Sequence, residues 1–324
     1  MEPVTRVAAV DIGTNSTRLL VADVTDGRIA DIERETRVTR LGEGVDERRR
    51  LLPVPVARVR NVLSDYRRTL ESLGAERTLA IATSAIRDAE NGEAFLGEIE
   101  WSYGFATRLL SGHDEALMMF RGVTCGRELD AGTVIVDVGG GSTELVAAEP
   151  DDVRWHNSLD IGSARLTERF LHRDPPSREE LDACAGAVQA LLSERVPDEI
   201  RTRTTSAIGV AGTITSLAAL ALGLEEYDRD RVHGSPLTTG ALEEQLDRLA
   251  SVPLAERRRL RPLDPDRAPV IVAGAVIARE TMSFFGVDVL EISERDILDG
   301  AALAAAELPE EEEGAAPPGA YSCC

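Results

Sequence analysis

The sequence contains no lysine, and all 36 of its basic residues are arginine. This absence excludes phosphate-binding loops of the Walker type, protein kinases and Schiff-base enzymes, because each of these needs a lysine side chain. Any bound phosphate must therefore be held by arginine guanidinium groups, by backbone N–H groups or by a metal ion.

Cysteine is also scarce, and the four residues lack the spacing of a metal site or a disulfide framework. They are Cys125, Cys184, Cys323 and Cys324. The first residues read as a strand and lack the apolar segment of a signal peptide, and no apolar run approaches the length of a membrane span. We therefore expect a cytoplasmic protein.

Acidic residues outnumber basic residues by 57 to 36, which gives a net charge of −21. This charge argues against nucleic acid or an anionic membrane as a partner. The composition is that of a globular chain, with 43% hydrophobic but only 4% aromatic residues. The expected core therefore consists of Ala, Val, Leu and Ile, and a homodimer is left open.

A short motif occurs twice in the sequence. The segment that starts at Asp11 reads DIGTNST, and the segment that starts 126 residues later, at Asp137, reads DVGGGST. Each copy lies between two apolar runs that are typical of strands. One strand–turn–strand unit is therefore used twice, which predicts two related domains.

Turns rich in Gly, Ser, Thr and Asn present consecutive backbone N–H groups, and such groups bind anions. The aspartate at the head of each copy, Asp11 or Asp137, can hold Mg²⁺ directly or through water. One copy alone would suggest an ordinary hairpin. Because a tight turn does not require the same Asp, Ser and Thr a second time, the pair predicts phosphate binding.

Strands and helices alternate along the whole chain, which predicts an α/β fold with helices on both faces of each sheet. Besides the strands around the two motifs, strands are predicted at residues 77–83, 106–110, 206–210 and 289–293, and helices at 55–73, 94–101, from about 114, and at 177–196, 214–222, 268–285 and 296–308. The predicted domains are residues 1–122 and 123–309. Residues 310–324, rich in Glu, Pro, Gly and Ala, are expected to be a disordered tail.

Three further segments could carry chemistry. A third turn, from Gly209 to Thr215, would place a helix N-terminus beside a phosphate or nucleotide, although a plain strand-to-helix turn explains it equally well. Arg87 follows a predicted strand and is expected to grip phosphate or to form a surface ion pair. The run from Arg257 to Arg259 is expected on a solvated face.

The segment from Ser111 to Ala116 reads SGHDEA. Ser111 resembles a helix N-cap, and acids in the first turn, such as Asp114 and Glu115, stabilise a helix by about 0.3–1 kcal/mol. From the residues alone, this structural role is a sufficient explanation for Glu115.

Taken together, these motifs resemble the five signature segments of the exopolyphosphatase/guanosine pentaphosphate phosphohydrolase family. The matching segments are residues 11–17, 83–88, 111–116, 137–144 and 209–213, and the resemblance extends from about residue 7 to residue 303. It looks closest to the short, actinobacterial-type members with two domains. The resemblance implies two actin-like (ribonuclease H-like) domains that face each other across a cleft.

The resemblance also implies roles for individual residues. Glu115 matches the general base, and Arg87 matches a catalytic arginine that grips phosphate. Asp11, Asp137 and Glu144 match the acidic residues of a centre that would hold Mg²⁺ or Mn²⁺. The implied phosphate-binding residues are Thr14, Asn15, Ser16, Gly139, Gly140, Gly141, Ser142, Arg165 and Arg267.

Two positions depart from the family pattern. Asp114 stands where many members carry a second Glu, which changes little because both are carboxylates. Ala211 stands in the third turn where many relatives have Gly. Because Ala has less freedom at positive φ, nucleotide recognition at this turn is less secure.

The implied function is exopolyphosphatase, the Mg²⁺-dependent hydrolysis of the terminal phosphoanhydride of inorganic polyphosphate with release of orthophosphate. The alternatives are guanosine pentaphosphate 5'-phosphohydrolase, a kinase of the same superfamily, and a non-catalytic alarmone or polyphosphate sensor. Retention of Glu115, Asp137 and Arg87 argues against a pure sensor. The sequence does not rank polyphosphate against the alarmone.

Overall fold

The computed structural model describes residues 4–150 and 152–309, which form two compact α/β units. The first unit comprises residues 4–126 and 297–309, and the second comprises residues 127–150 and 152–296. In the part of the chain that is described, no helix combines the length and apolar character needed to cross a membrane.

The first unit is built around a five-stranded sheet. Its strands are β1 (Thr5–Ile12), β2 (Ser16–Thr25), β3 (Arg28–Val38), β4 (Arg77–Ala82) and β5 (Ala106–Leu109). The helices between and after these strands are α1 (Val45–Arg48), α2 (Pro53–Leu73), α3 (Ser84–Arg87), α4 (Gly92–Tyr103) and α5 (Gly112–Thr124).

The second unit is built around a six-stranded sheet. Its strands are β6 (Thr133–Val138), β7 (Thr143–Glu149), β8 (Asp152–Leu159), β9 (Ser206–Val210), β10 (Pro236–Thr238) and β11 (Val289–Ile292). The helices are α6 (Ser163–Phe170), α7 (Arg178–Arg195), α8 (Asp198–Arg203), α9 (Ala211–Ala221), α10 (Arg229–Val232), α11 (Thr239–Ser251), α12 (Leu254–Arg257) and α13 (Ile271–Phe285). The final helix of the chain is α14 (Ile297–Ala306).

The two sheets share one topology. The first has the order β3-β2-β1-β4-β5, and the second has the order β10-β11-β9-β6-β7-β8. In each sheet an antiparallel meander of three strands is followed by two strands parallel to the first strand of that meander. Strands β8, β7, β6, β9 and β11 thus correspond to β3, β2, β1, β4 and β5, and β10 is an added edge strand. The predicted α/β fold and the predicted repeat of its opening unit are confirmed.

The repeat extends beyond the two turns. The β2–β3 pairing shifts register between Val21 and Ala22, and the β7–β8 pairing shifts between Ala147 and Ala148. These positions are separated by the same 126 residues as Asp11 and Asp137. Because a bulge of this kind bends and twists a strand locally, the two meanders carry the same distortion at equivalent places.

Among the elements that were not predicted are the edge strands β3 and β8 and the helix α11. Strand β3 alternates Arg, Asp and Glu on an exposed face, and such charged edges give no apolar signal although they protect a sheet against association. Strand β8 is similarly polar and mostly half-buried. Helix α11 buries only one narrow face. The predicted aliphatic core is confirmed in both units, where Val, Leu, Ile and Ala fill the interior.

Helix α14 corrects the predicted division of the chain. The boundaries predicted from sequence place it in the second domain, but it packs against α5 and β1 in the first unit. The fully buried carboxylate of Asp299 accepts a hydrogen bond of 2.8 Å from Arg34 on β3, and Gly300 lies against the backbone of Met118. The chain therefore returns to its first unit. The predicted tail, residues 310–324, lies outside the described residues.

Arg257 also corrects an expectation, because it is buried rather than solvated. Its guanidinium donates to the backbone oxygens of Leu249 at 2.8 Å and Val252 at 2.9 Å. Burial lowers the pKa of this guanidinium below its ordinary value, and the carboxylate of Asp174 partly opposes the shift. Arg257 thus joins the end of α11 to α12.

The Arg34–Asp299 pair provides a stability test for the placement of α14. Removing Arg34 with Arg34→Ala leaves the fully buried Asp299 without its arginine, which we expect to cost about 3 kcal/mol of unfolding free energy. Arg37→Ala on the same strand is the matched control, since Arg37 and its partner Asp65 are exposed and its other partner, Glu35, is half-buried. We expect the control to cost less than about 1 kcal/mol. Urea unfolding measures both, and equal losses would contradict the assignment.

Candidate active site

The predicted site residues lie at the carboxyl ends of the parallel strands in both units. In the first sheet these ends belong to β1, β4 and β5, which are adjacent. In the second sheet they belong to β6 and β9, also adjacent. In open α/β sheets this is the edge at which ligands bind.

The two turns have the same backbone geometry. The N–H of Gly13 donates to the backbone oxygen of Ser16 at 3.0 Å, and the N–H of Gly139 donates to that of Ser142 at 3.0 Å. A methyl group placed on Gly13 would lie 3.1 Å from the Ser16 oxygen, and one on Gly139 would lie 3.0 Å from the Ser142 oxygen. Glycine is therefore needed at both positions because the chain folds back onto its α-carbon.

The carbonyl groups of the first turn are bound by the segment that follows β3. The backbone oxygen of Asn15 accepts hydrogen bonds from the N–H groups of Thr39 and Arg40 at 3.0 and 2.9 Å, and that of Thr14 accepts one from Gly42 at 2.9 Å. The hydroxyl of Thr14 also lies 2.8 Å from that of Ser84, at the start of α3. The turn is thus fixed from two sides.

Helix α2 contacts the same turn through the side chain of Tyr66. The hydroxyl of Tyr66, which is fully buried, donates to the backbone oxygen of Thr17 at 2.9 Å. Burial raises the pKa of this phenol above its ordinary value, so the hydroxyl keeps its proton. The predicted residue Ser16 is the first residue of β2 and immediately precedes Thr17.

The second turn is bound in an analogous way by the start of α6. The backbone oxygen of Gly139 accepts from the N–H of Ser163 at 2.9 Å, and that of Gly140 accepts from the N–H groups of Ala164 and Arg165 at 2.9 and 3.1 Å. The guanidinium of Arg165 donates to the oxygen of Gly141 at 2.7 Å. The structure therefore brings Arg165 together with the predicted turn residues.

The acidic residues differ between the two copies. In the first, Asp11 pairs across β1 and β2 with Arg18, whose Nε and Nη2 lie 2.9 and 2.8 Å from one carboxylate oxygen. In the second, Asp137 pairs across β6 and β7 with Glu144. An arginine in one copy thus stands where the other has a carboxylate. The first aspartate is balanced by a cation of the protein, and the second lies beside another buried acid.

Two of the three predicted metal residues are neighbours within the second unit. Asp11 belongs to the first unit, whereas Asp137 and Glu144 are cross-strand neighbours in the second. Among the residues that the structure describes, no three Asp, Glu, His or Cys side chains are grouped to hold a metal ion. A pair of carboxylates fits Mg²⁺ nevertheless, because Mg²⁺ commonly binds one or two carboxylates and completes its shell with water and substrate phosphates.

Arg87 and Glu115 are in direct contact. Arg87 ends α3, and its Nη1 donates to an oxygen of Glu115 at 2.8 Å and to the backbone oxygen of Leu110 at 2.9 Å. The Glu115 side chain is only 3% exposed, whereas that of Arg87 is 30% exposed. The ion pair that Arg87 forms is therefore with a buried acid in the first turn of α5 and not on the surface, and its contact with phosphate stays a prediction.

The acids at the start of α5 have separate roles. Ser111 and Asp114 form a capping box, in which each side chain hydrogen-bonds the backbone N–H of the other. The Ser111 hydroxyl holds the pKa of the Asp114 carboxyl below its ordinary value. The expected N-cap at Ser111 is confirmed, and Asp114 is the acid that completes the capping box. Glu115 does not share in the cap.

The third turn places a strained residue beside an arginine. Ala211, the first residue of α9, has a φ of 64°, in the left-handed region that favours glycine. A methyl group on the next residue, Gly212, would lie 2.1 Å from Nη1 of Arg267, so that guanidinium lies flat against the turn. The predicted residue Arg267 is thus brought to the third turn.

Some residues of this edge were not predicted from sequence. Ser84 contacts the first turn, and Ser158 on β8 donates to Glu144 at 2.9 Å. Ser163 donates to the Gly139 oxygen through both its N–H and its hydroxyl. Ser84 lies within a segment that the sequence singles out, but β8 gave no signal of a strand and Ser158 therefore could not be placed.

The fold and the paired turns define a protein of the actin-like class, in which related α/β units each carry a glycine-rich turn between the first two strands. The sequence matches the Ppx/GppA phosphatase family over residues 20–306. Since this match covers most of the chain, the protein belongs to that family.

Individual relatives agree with the assignment. Exopolyphosphatase 2 of Mycobacterium tuberculosis is 42% identical over 321 residues, which cover 93% of this chain and 99% of the relative. The crystal structure of an exopolyphosphatase-like protein has a TM-score of 0.87 at 33% identity and covers 94% of this chain and 100% of its own. The Aquifex aeolicus member of the Ppx/GppA family has a TM-score of 0.78 at 33% identity, over 94% and 98%.

The strain at Ala211 can be measured. Left-handed backbone costs a non-glycine residue about 1–2 kcal/mol, and the greater freedom of glycine in the unfolded chain offsets about 0.5–1 kcal/mol of this. We expect Ala211→Gly to raise the unfolding free energy by as much as about 1 kcal/mol. Ala219→Gly, in the buried middle of the same helix, is the control and should lower it by about 1 kcal/mol or more. Destabilisation by Ala211→Gly in urea melts would contradict the strain.

Proposed function

We propose that this protein is an exopolyphosphatase that removes orthophosphate from the end of inorganic polyphosphate by hydrolysis of the terminal phosphoanhydride. The observation that carries the proposal is the duplicated turn. In both units its backbone carbonyl groups accept hydrogen bonds from N–H groups of a following segment. In such turns the N–H groups are the anion-binding side. The identity to a relative named exopolyphosphatase 2 agrees with it.

The phosphate-binding roles follow from the position of each residue. The turn residues Thr14, Asn15 and Ser16 in the first unit and Gly139 to Ser142 in the second would bind phosphate oxygens through backbone N–H groups and hydroxyls. Arg165 and Arg267 would add guanidinium donors, since each is held at a turn of the second unit. Together these groups would neutralise a polyanion without any lysine.

The carboxylates would serve a divalent cation. We assign Asp137 and Glu144 to Mg²⁺, with Mn²⁺ as a substitute, because they are two buried carboxylates that are direct cross-strand neighbours. Asp11 would act through its Arg18 pair and contact the cation at most through water. The cation would supply charge neutralisation of the phosphoryl oxygens.

Glu115 would act as the general base towards water, and Arg87 would hold it. A hydrolysis of this type needs a water aligned for in-line attack and a group that accepts its proton. The buried carboxylate of Glu115 is fixed by the guanidinium of Arg87, which keeps it charged. Arg87 is also exposed enough for its guanidinium to contact phosphate.

Polyphosphate is favoured over guanosine pentaphosphate by the third turn. A nucleoside would need room beside α9, but the guanidinium of Arg267 lies against Gly212 and the non-glycine Ala211 is held at positive φ. A linear phosphate chain makes no such demand. Hydrolysis of guanosine pentaphosphate is the second candidate.

The substrate assay tests the assignment directly. With Mg²⁺, we expect orthophosphate release from polyphosphate at a higher kcat/KM than from guanosine pentaphosphate, ATP or p-nitrophenyl phosphate. Excess EDTA should abolish release, because the carboxylates alone would leave the phosphate charge unbalanced. A preference for the monoester, or full release in EDTA, would contradict the proposal.

Glu115→Gln tests the assignment of the base. Glutamine keeps the size and one acceptor oxygen but cannot take a proton from water, so kcat should fall by about 10²–10⁴-fold while polyphosphate binding is kept. Asp114→Asn is the matched control at the neighbouring position, where only the cap is weakened. The control should lose stability, by about 1 kcal/mol or less, with kcat nearly unchanged.

Either of two results would overturn this assignment. Turnover of Glu115→Gln within a few-fold of the parent would make Glu115 a structural residue. A large fall for Asp114→Asn alone would move the base to Asp114.

A further inference from the structure

Strand β8 places a hydroxyl group beside one of the acidic residues of the second unit. We propose that Ser158 is a positioning residue for Glu144, which sets the orientation of that carboxylate and through it the affinity for the divalent cation. The inference rests on the proposed function for the role of the cation. The orientation itself follows from contacts within the second unit alone.

Three side chains form one row across the second sheet. Asp137 on β6 is the register partner of Glu144 on β7, and Glu144 is the register partner of Ser158 on β8. Direct cross-strand partners project from the same face of a sheet with their β-carbons about 4.5–5.5 Å apart. The hydroxyl is thus built into the sheet beside the acid, on the side away from Asp137.

Two hydroxyls act on the same oxygen of Glu144. Ser158 Oγ donates to Oε1 at 2.9 Å, and Ser142 Oγ donates to Oε1 at 2.6 Å. The other oxygen faces the turn, since a methyl group placed on Gly139 would lie 4.0 Å from Oε2. The two serines therefore hold Oε1 on the side of their hydroxyls and leave Oε2 towards the turn.

The two serines are not equivalent. Ser142 belongs to the turn, and its backbone oxygen closes the turn by accepting from Gly139. It therefore lies within the segment that we assign to phosphate binding. Ser158 lies in a paired strand outside the turn, where β7 and β8 fix its position. Ser158 thus provides a hydrogen-bond donor to Glu144 that lies outside the turn.

The first unit shows what the row becomes without an acid at its centre. There the equivalent row is Asp11, Arg18 and Thr36, and Arg18 binds Asp11. In this row the positive charge comes from the guanidinium of Arg18, so no carboxylate has to be oriented towards a metal ion. In the second unit the central residue is itself an acid, and the hydroxyls of Ser158 and Ser142 donate to it. A neutral hydroxyl donor orients a carboxylate without cancelling the negative charge that a divalent cation requires.

Substitution of Ser158 tests the role. Partners that orient metal-binding side chains typically change metal affinity or activity by about 10–100-fold when removed. We expect Ser158→Ala to raise the Mg²⁺ concentration for half-maximal phosphate release, and to weaken Mn²⁺ binding by the substrate-free protein, by about tenfold or more. Paramagnetic resonance of free Mn²⁺ measures that binding without turnover. Ser158→Thr, which restores the hydroxyl, should return both values to near those of the parent.

A second serine of the same sheet provides the control. Ser206 on β9 lies 2.9 Å from the hydroxyl of Thr133 at the opposite, amino-terminal end of the strands and is half-buried like Ser158. Ser206→Ala removes a comparable hydrogen bond and should leave both metal measurements unchanged. Should Ser158→Ala fail to fold, Ser158→Val and Ser158→Thr make the same comparison, because they have the same shape and differ only by the hydroxyl.

The outcomes separate this inference from the proposed function. Mn²⁺ binding that is equal in Ser158→Ala and Ser206→Ala, or equal in the Val and Thr variants, overturns the role of Ser158 whatever the activity. If the parent protein releases no phosphate from polyphosphate, the proposed function fails, but the Mn²⁺ measurements still decide whether Ser158 positions Glu144. A loss of thermal stability alone would make Ser158 a purely structural donor.

Discussion

The site depends on one backbone hydrogen bond that occurs twice, from the N–H of Gly13 to Ser16 and from the N–H of Gly139 to Ser142. This bond closes each hairpin in a fixed register. The register then places residues seven apart in sequence side by side, Asp11 with Arg18 and Asp137 with Glu144. Glycine permits the close approach of the serine carbonyl oxygen to its α-carbon. The main chain of the turn therefore determines which side chains lie beside each other. A side chain on that glycine would lie 3.0–3.1 Å from the serine oxygen and would press on the turn.

Once the register is set, the two copies can differ in charge without differing in shape. The bulge, the strand order and the turn are the same in both, yet the position occupied by Arg18 in one is occupied by Glu144 in the other. A single difference of this kind changes a self-neutralised aspartate into half of an acidic pair. The duplication thus provides one turn whose aspartate faces an arginine across the strands and one whose aspartate faces a second acid.

Much of this architecture was predictable because it depends on local patterns. The repeated turn, the aliphatic strands and the N-cap at Ser111 are each written in a few adjacent residues, and the structure confirms them. What could not be predicted depends on residues far apart in sequence. The pairing of Arg87 with Glu115, the return of α14 to the first unit and the contact of Ser158 with Glu144 need the fold itself. The charged strand β3 and the polar strand β8 were missed because an edge strand is selected for polarity, which removes the apolar alternation that reveals a strand. Residue roles that rest on the family resemblance stay predictions.

The acidic character of the chain can be reconciled with an anionic substrate by the way its arginines are used. On the surface they are paired with carboxylates, as Arg60 with Glu98 and Arg178 with Asp182, so they add little positive potential. At the site edge Arg18 and Arg87 are also bound to carboxylates, whereas Arg165 donates to the backbone oxygen of Gly141. A guanidinium and the carboxylate that it binds have no net charge as a pair, whereas a backbone carbonyl group does not offset the charge of the guanidinium that donates to it. The local field at the turns is therefore decided by what each arginine contacts and not by the net charge of the protein, because surface charges more than about 10 Å away are screened by salt.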